Sequence, residues 1–249
     1  MAIRLLPLTL SAAFFIITAA TFDCTLQIAA VQQDWEDERM LFGDPGAAAA
    51  ADAVIVRDLS NFHWTFIALL AVVFYIYGNE LKKKNYRAVV AGLSLYGVHW
   101  LYEIANAVIC RVSGYALWTV SNASTSLVLL IGVSWELSMM FSVAGIIAWN
   151  MLPEDRTLRV AGMPVKWVVA IGMALLFSAV EIFLAATPAF IWVYRWWGAI
   201  PVFITTYIPF FIAAIFVPDA TAGFQKRFLI TIWGLVALSL AVLIPLGVI

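Results

Sequence analysis

The sequence predicts an all-α membrane protein, a polytopic bundle of about seven transmembrane helices that forms a single domain over residues 1–249. The first reason is composition: of 249 residues, 64% are hydrophobic and 12% are charged, whereas soluble domains carry about 25% charged residues. The second is that seven apolar segments have about the 20-residue length with which a helix crosses hydrocarbon. The third is that lysine and arginine concentrate between alternate segments.

The predicted spans cover residues 5–22, 61–80, 88–110, 124–151, 167–187, 197–217 and 228–248. The first of them also fits a cleaved signal peptide, because Arg4 precedes an apolar run that ends in small residues. We expect a retained anchor. Cleavage would leave six spans and would not change the orientation of the others.

The distribution of basic residues predicts the orientation. With the N-terminus in the cytoplasm, ten of the 14 lysines and arginines fall in cytoplasmic segments and four in external ones. Because cytoplasmic loops are enriched in these residues, we expect a cytoplasmic N-terminus and an external C-terminus. The expected location is a bacterial inner membrane or a eukaryotic cell or endoplasmic reticulum membrane.

One long loop, residues 23–60, is predicted outside the membrane. It carries eight acidic residues against two arginines. We interpret it as a solvated external cap. A cation site at Asp34, Glu36, Asp37 and Glu38 is the alternative, although their spacing matches no calcium loop.

The sixth span has an unusual beginning and interior. An aromatic cluster before it is typical of the belt found where a helix leaves the bilayer: Trp192, Tyr194, Trp196 and Trp197. Pro201 and Pro209 fall within the span, and proline removes a backbone donor and kinks a helix. Such kinks open cavities in membrane bundles, so this span is expected to border one.

Three carboxylates are predicted inside the membrane: Glu103, Glu136 and Glu181. Each would cost about 2.5–3.5 kcal/mol at the bilayer centre, and no lysine or arginine is predicted in any span interior. We therefore expect the three to face the interior of the bundle, some of them protonated at neutral pH. Intramembrane ionisable residues are candidates for a functional site.

The third span places polar residues on one helical face. Steps of three or four residues connect Gly92, Tyr96, His99, Glu103, Asn106 and Cys110. His99 and Glu103 are one turn apart and can touch. We predict Glu136 near the middle of the fourth span with Met140 and Gly132 on its face, and Glu181, Thr205, Thr206 and Tyr207 at a similar depth. The alternative is that these groups only hold helices together.

The predicted site combines acid–base groups with a pocket. Its catalytic residues are His99, Glu103, Glu136 and Glu181, and its substrate-binding residues are Tyr96, Asn106, Trp135, Met140 and Tyr207. Histidine and glutamate are the usual general acids and bases, and aromatic rings can stabilise positive charge. We predict that the site binds or converts a lipophilic small molecule, for instance by isomerisation or cyclisation. The step from His99 to Glu103, with a glutamate on a second helix, resembles the arrangement in sterol isomerases of the emopamil-binding type. That resemblance covers only these few residues, and this chain has more spans.

Other functions compete with this hypothesis. A proton- or cation-coupled transporter also uses buried carboxylates, and a non-catalytic subunit of a larger membrane complex would turn the polar face toward a partner subunit. A metal ion bound by His99, Glu103, Glu136 and Glu181 is a further alternative. The site that we predict contains no metal ion. No span contains the lysine that a retinal Schiff base needs, no hydrolase, nucleotide or zinc motif occurs, and no basic stripe suggests nucleic acid. The sequence assigns no cofactor; the expected partners are the lipid bilayer and a lipophilic ligand.

Overall fold

The computed structural model describes residues 54–64 and 66–249 of the chain. The predicted first span and most of the acidic loop, including its four clustered acidic residues, lie outside the described residues. The α-helices are α1 (Phe66–Lys82), α2 (Tyr86–Ser113), α3 (Trp135–Asn150), α4 (Val165–Ala185), α5 (Ala199–Val202), α6 (Ile208–Phe216) and α7 (Ala222–Leu243). A π-helical segment, Phe203–Tyr207, joins α5 to α6, and a 3₁₀ turn, Val217–Asp219, follows α6. Shorter 3₁₀ turns occur at Leu59–Asn61 and Asn122–Ser124.

Four helical stretches are long and apolar enough to cross a membrane: α2, α4, the continuous stretch Ala199–Asp219, and α7. They correspond to the third, fifth, sixth and seventh predicted spans. Helices α1 and α3 have 17 and 16 residues, which gives α3 a length of about 24 Å against a hydrocarbon core of about 30 Å. The structure therefore has the helical architecture of a membrane protein.

The predicted fourth span, 124–151, is wrong in its first half. Residues 128–134 form a β-hairpin instead, and α3 begins only at Trp135. Ser134 caps the helix by accepting a hydrogen bond from the Leu137 backbone N–H at 3.3 Å. Glu136 consequently lies in the first turn of α3 and not near its middle, and Gly132 belongs to the hairpin and not to the helical face of Glu136.

Helix α2 lies at the centre of the bundle, where it contacts α1, α3, α6 and α7. Its buried side contains Gly92, His99, Glu103 and Asn106, which are four members of the predicted polar face. Helix α7 is peripheral, since Ile232 and Val236 are its only buried residues. The described core is thus centred on α2, α3, α4 and α6.

Short antiparallel strand pairs close the ends of the bundle. Strand β1 (Trp118–Val120) pairs with β6 (Phe190–Trp192), β2 (Val128–Leu130) with β3 (Val133–Ser134), and β4 (Arg159–Val160) with β5 (Met163–Pro164). The first two pairs lie beyond the C-terminal end of α2, which we call the hairpin end. The third lies at the opposite end, where its turn, Ala161–Gly162, has positive φ at both residues, as a tight hairpin turn requires.

The two ends differ in charge. Of the 12 lysines and arginines at positions 54–249, nine lie at the end that contains the start of α2, which we call the basic end: Lys82, Lys83, Lys84, Arg87, Arg156, Arg159, Lys166, Lys226 and Arg227. The chain ends at the hairpin end, where Arg57 donates to the carbonyl oxygens of Leu129 at 3.1 Å and Ile249 at 3.0 Å.

Candidate functional site

A cavity of about 40 Å³ lies between α2, α3, α4 and the Ala199–Asp219 stretch, below strands β1 and β6. Its lining is mostly apolar and aromatic, with two carboxylates and one imidazole. The described lining residues include no lysine or arginine. They are His99, Glu103, Trp118, Gly132, Leu137, Met140, Phe141, Phe177, Val180, Glu181, Leu184, Phe190, Trp197, Val202, Thr206, Tyr207 and Phe210.

Helix α2 supplies His99 and Glu103 to the cavity. The His99 Nε2 atom lies 3.4 Å from the Glu103 Oε1 atom, a contact longer than an ordinary hydrogen bond. The imidazole is buried and stacks on the Phe141 ring, with 4.1 Å between ring centroids. The second carboxylate oxygen of Glu103 accepts a hydrogen bond from Trp118 Nε1 at 3.3 Å.

Helix α4 supplies the second carboxylate. Glu181 Oε1 accepts a hydrogen bond from Trp192 Nε1 at 2.7 Å, and Oε2 accepts one from the Tyr207 hydroxyl. Both oxygens therefore have a donor, which fixes the orientation of the group.

The strands at the hairpin end connect the two carboxylates. Trp118 on β1 and Trp192 on β6 are direct partners across the antiparallel pair. One indole N–H donates to Glu103 and the other to Glu181. A single strand pairing thus positions a donor on each of two carboxylates that come from different helices.

The π-helical segment shapes the opposite wall of the cavity. Pro209 has no backbone N–H, so the Thr205 carbonyl has no α-helical partner; it accepts a hydrogen bond from the Tyr102 hydroxyl at 2.7 Å instead. The wider turn places Thr206 and Tyr207 in the cavity lining. Isolated π-helical turns occur frequently at functional sites.

Several buried polar atoms at the cavity have no hydrogen-bond partner among the described residues. They are both ring nitrogens of His99, the indole N–H of Trp197 and the hydroxyl of Thr206. Because an unpaired buried polar group costs about 1–3 kcal/mol, these atoms fit a ligand or water molecules that carry hydrogen-bonding groups.

Residues 46–245 match the family described as "Uncharacterized membrane protein family". The chain belongs to this family. A protein of Archaeoglobus fulgidus with the printed name "Uncharacterized protein" is 40% identical over 178 residues, which are 70% of this chain and 84% of that protein. No solved structure matches the chain. All the cavity-lining residues lie within the range that matches the family.

The structure brings five of the predicted site residues to the cavity: His99, Glu103, Glu181, Met140 and Tyr207. It places Glu136 elsewhere. The Glu136 carboxylate accepts hydrogen bonds from the Thr125 and Ser126 hydroxyls and from the Ser126 backbone N–H at 2.8 Å. Glu136 therefore holds the loop before β2 against the first turn of α3.

The other predicted binding residues contact neighbours outside the cavity lining. The Tyr96 hydroxyl is 2.7 Å from Ser138 Oγ, and the Trp135 ring stacks on Phe66. The side chain of Asn106 donates to the Trp118 carbonyl at 2.9 Å and accepts from the Leu117 N–H at 2.7 Å. Asn106 thereby positions β1, and through it the indole that contacts Glu103.

The prediction of an interfacial aromatic belt is wrong for two of its four members. Trp192 and Trp197 are 2% and 7% exposed, whereas Trp196 is 61% exposed, as an interfacial residue should be. Trp118, Trp192 and Trp197 are not among the predicted site residues. The sequence feature that could have indicated a role in the site is the high density of tryptophan directly after the fifth predicted span, which contains Glu181.

Metal binding has no support in the part of the chain that the structure describes. Within residues 54–64 and 66–249, no three His, Cys, Asp or Glu side chains are grouped so that they could hold a metal ion. Glu103 and Glu181 instead have indole N–H donors, which compete with a cation for the carboxylate oxygens.

Proposed function

We propose that this cavity binds one end of a lipophilic small molecule and moves a proton on it, as in the shift of a carbon–carbon double bond. The observation that carries the proposal is the pair Glu103 and Glu181, two carboxylates from different helices that line one apolar cavity whose described lining contains no lysine or arginine. A proton shift can use one such group as the acid and the other as the base when both are in reach of the same substrate.

The proposed reaction is balanced without any co-reactant. One carboxyl group gives its proton to one carbon of the double bond, and the other, as a carboxylate, removes a proton from the carbon next to the resulting cation. The double bond has then moved by one position. Glu103 and Glu181 share these two roles, and proton exchange with water returns them to the starting state after each turnover.

The remainder of the lining suits a positively charged intermediate. The rings of Trp118, Phe141, Phe177, Trp197 and Phe210 line the cavity, and aromatic faces attract cations more strongly where water is excluded. Since one water requires about 10–15 Å³, a cavity of about 40 Å³ holds only the reacting end of a chain. The remainder of the ligand would extend between the helices toward the lipid.

The unpaired polar atoms suggest what that end carries. The Trp197 indole can only donate a hydrogen bond, and the Thr206 hydroxyl can donate or accept one. An oxygen substituent close to the double bond would satisfy both. The proposed substrate class is therefore an unsaturated lipophile with a hydroxyl, carbonyl or ether oxygen near the reacting carbons.

Solvent deuterium provides a test that does not require the substrate to be known. Purified protein in vesicles of the source organism's own lipid extract is incubated in D₂O, and the lipids are analysed by mass spectrometry. A proton shift places deuterium on carbon, so one lipid species should gain mass and the gain should depend on the protein. Glu103→Gln and Glu181→Gln should each lower the rate at least 100-fold.

Glu80→Gln is the matched control, since Glu80 is buried at the basic end of α1 and bonds to Asn85, away from the cavity. This variant should keep the full rate. Absence of deuterium in every lipid, or equal rates in Glu103→Gln and wild type, would refute the proposal. A proton-coupled transporter would instead acidify or alkalinise sealed vesicles without labelling any lipid.

We also propose seven spans with the basic end in the cytoplasm. The excess of lysine and arginine at that end supports this orientation, and the position of Ile249 at the hairpin end supports an external C-terminus. Reporter fusions at residues 83, 161 and 249 test it: a periplasmic phosphatase should be active only at 249. Activity at 83 would contradict the proposed orientation.

A further inference from the structure

A cluster of charges at the basic end is not used by the proposed reaction. Asp219, at the end of the Ala199–Asp219 stretch, forms an ion pair with Lys166 in the first turn of α4. The Asp219 Oδ1 atom is also 3.6 Å from Nη1 of Arg87, at the start of α2. The Arg156 guanidinium lies nearby, 4.4 Å above the Trp149 ring. We call Arg87, Arg156, Lys166 and Asp219 the Asp219 cluster.

The charges of the Asp219 cluster do not balance. Three cations surround one carboxylate, and the Nη1 atom of Arg156 is buried without a hydrogen-bond partner among the described residues. Burial lowers the pKa of Arg156; the charge of Asp219 opposes this effect, and that of Arg87 adds to it. An additional anion would relieve the repulsion between the arginines and supply an acceptor for the unpaired Nη1 group of Arg156.

The position of the cluster indicates where that anion comes from. Arg87, Lys166 and Asp219 lie at the ends of three spanning stretches, which is the level of lipid headgroups. Next to the cluster, Trp167 is 38% exposed and its ring is 4.9 Å from that of Phe216. These rings provide an apolar surface for acyl chains directly beside the cations. A free inorganic anion would gain nothing from contact with such an apolar surface, whereas a lipid would bury its acyl chains there.

We propose that the Asp219 cluster binds the phosphate group of an anionic phospholipid, with the acyl chains lying along Trp167 and Phe216. Basic pockets between transmembrane helices bind anionic headgroups in this way. The arginines would contact the phosphate oxygens, and Lys166 would add a third positive charge.

Native mass spectrometry of the full chain in nanodiscs tests the proposal. The discs contain phosphatidylglycerol in an excess of phosphatidylcholine, and the bound lipids are identified after the disc is removed. The wild type should retain phosphatidylglycerol far above its share of the disc. The double variant Arg156→Gln, Lys166→Gln should lose roughly tenfold of that enrichment, because each basic residue contributes to attraction of an anionic lipid.

Two further variants separate charge from structure. Arg159→Gln removes an exposed arginine on β4, at the same end but outside the cluster, and should keep the enrichment. Asp219→Asn removes the negative charge and should retain phosphatidylglycerol at least as well as the wild type. Loss of the lipid in Asp219→Asn, or equal retention of both lipids by the wild type, would overturn the proposal.

Inorganic phosphate distinguishes the two sources of the anion. In detergent, phosphate at millimolar concentration should leave the melting temperature of the wild type unchanged, whereas added phosphatidylglycerol should raise it. If phosphate stabilises the protein as strongly and displaces phosphatidylglycerol, the site binds a free anion and the lipid proposal is wrong.

Discussion

The crossing of α2 and α3 allows one stability prediction to be worked out from distances. Gly145 on α3 packs directly against the backbone of α2. A Cβ atom added at Gly145 would lie 2.7 Å from the carbonyl carbon of Ala91 and 2.9 Å from the Cα atom of Gly92, and nearer still to the Ala91 carbonyl oxygen. Backbone atoms cannot rotate away, so Gly145→Ala forces the two helices apart.

The expected magnitude follows from two opposing effects. Overpacking costs about 1–3 kcal/mol, and a clash with backbone belongs at the upper limit. Replacing a helical glycine with alanine gains at most about 1 kcal/mol. Gly145→Ala should therefore lower the free energy of unfolding by about 2 kcal/mol. Gly172, in α4, has nothing within 4 Å of an added Cβ, so Gly172→Ala should leave the free energy unchanged or raise it by up to about 1 kcal/mol.

Reversible unfolding in mixed micelles of mild detergent and dodecyl sulfate, followed by circular dichroism, measures both variants. The two should differ by about 2–3 kcal/mol, which is a difference of roughly 30- to 150-fold in the unfolding equilibrium constant. If Gly145→Ala is as stable as Gly172→Ala, then Gly145 of α3 does not make the close contact with the α2 backbone.

Three other substitutions test contacts around the cavity. Gly132→Ala would push against the Trp118 indole, the Asn106 amide and the Glu103 carboxylate and should lower the rate of deuterium transfer at least tenfold in a folded protein. Tyr102→Phe leaves the Thr205 carbonyl without its donor and should lower the free energy of unfolding by about 1–3 kcal/mol. Asn106→Leu removes two hydrogen bonds to the backbone before and within β1 and should cost about 2–3 kcal/mol in the same unfolding measurement.

Each of these variants has its own contradicting result. A wild-type labelling rate in Gly132→Ala would show that the positions of Trp118 and Glu103 do not matter to the reaction. Tyr75 on α1 is 60% exposed, so the control variant Tyr75→Phe should leave the unfolding free energy unchanged. If Tyr75→Phe and Tyr102→Phe lower the unfolding free energy equally, the loss is a general effect of removing a tyrosine hydroxyl and not of the Tyr102–Thr205 hydrogen bond. If Asn106→Leu leaves the unfolding free energy unchanged, the amide of Asn106 does not stabilise β1.

Much of the bundle could be predicted from the sequence because lipid imposes a simple rule. Where a run of about 20 apolar residues has no competing local signal, a helix is the only stable conformation in hydrocarbon, and α2, α4 and α7 follow this rule. The burial of His99 and Glu103 on one face of α2 also follows from helical periodicity. These properties are local to one segment, so a single sequence contains them.

The fourth span was mispredicted because apolar strands and apolar helices have the same hydropathy. Residues 127–134 are as hydrophobic as a span, but β-branched Val128 and Val133 favour a strand and Ser134 is a strong helix cap. These short-range preferences determine where α3 begins. The position of Glu136 depends entirely on that boundary.

The tryptophans of the site could not be predicted, because their roles depend on pairing between distant segments. Trp118 and Trp192 become partners only when β1 and β6 meet, although 74 positions of the chain separate them. An aromatic cluster near the end of a span gives the same sequence pattern whether its rings face lipid or a buried carboxylate. Only the tertiary arrangement distinguishes the two cases.

The π-helical turn between Pro201 and Pro209 has a consequence for how this segment tolerates length changes. A π turn contains one more residue than an α-helical turn, so it takes up an extra residue while the helix beyond it keeps its orientation. Deleting one residue from Phe203–Tyr207 and closing the turn as regular α-helix would leave Phe210 and Phe211 facing their present neighbours. The loss would fall on the turn itself, which places Thr206 and Tyr207 in the cavity lining, so such a deletion should impair the cavity far more than the packing of α6.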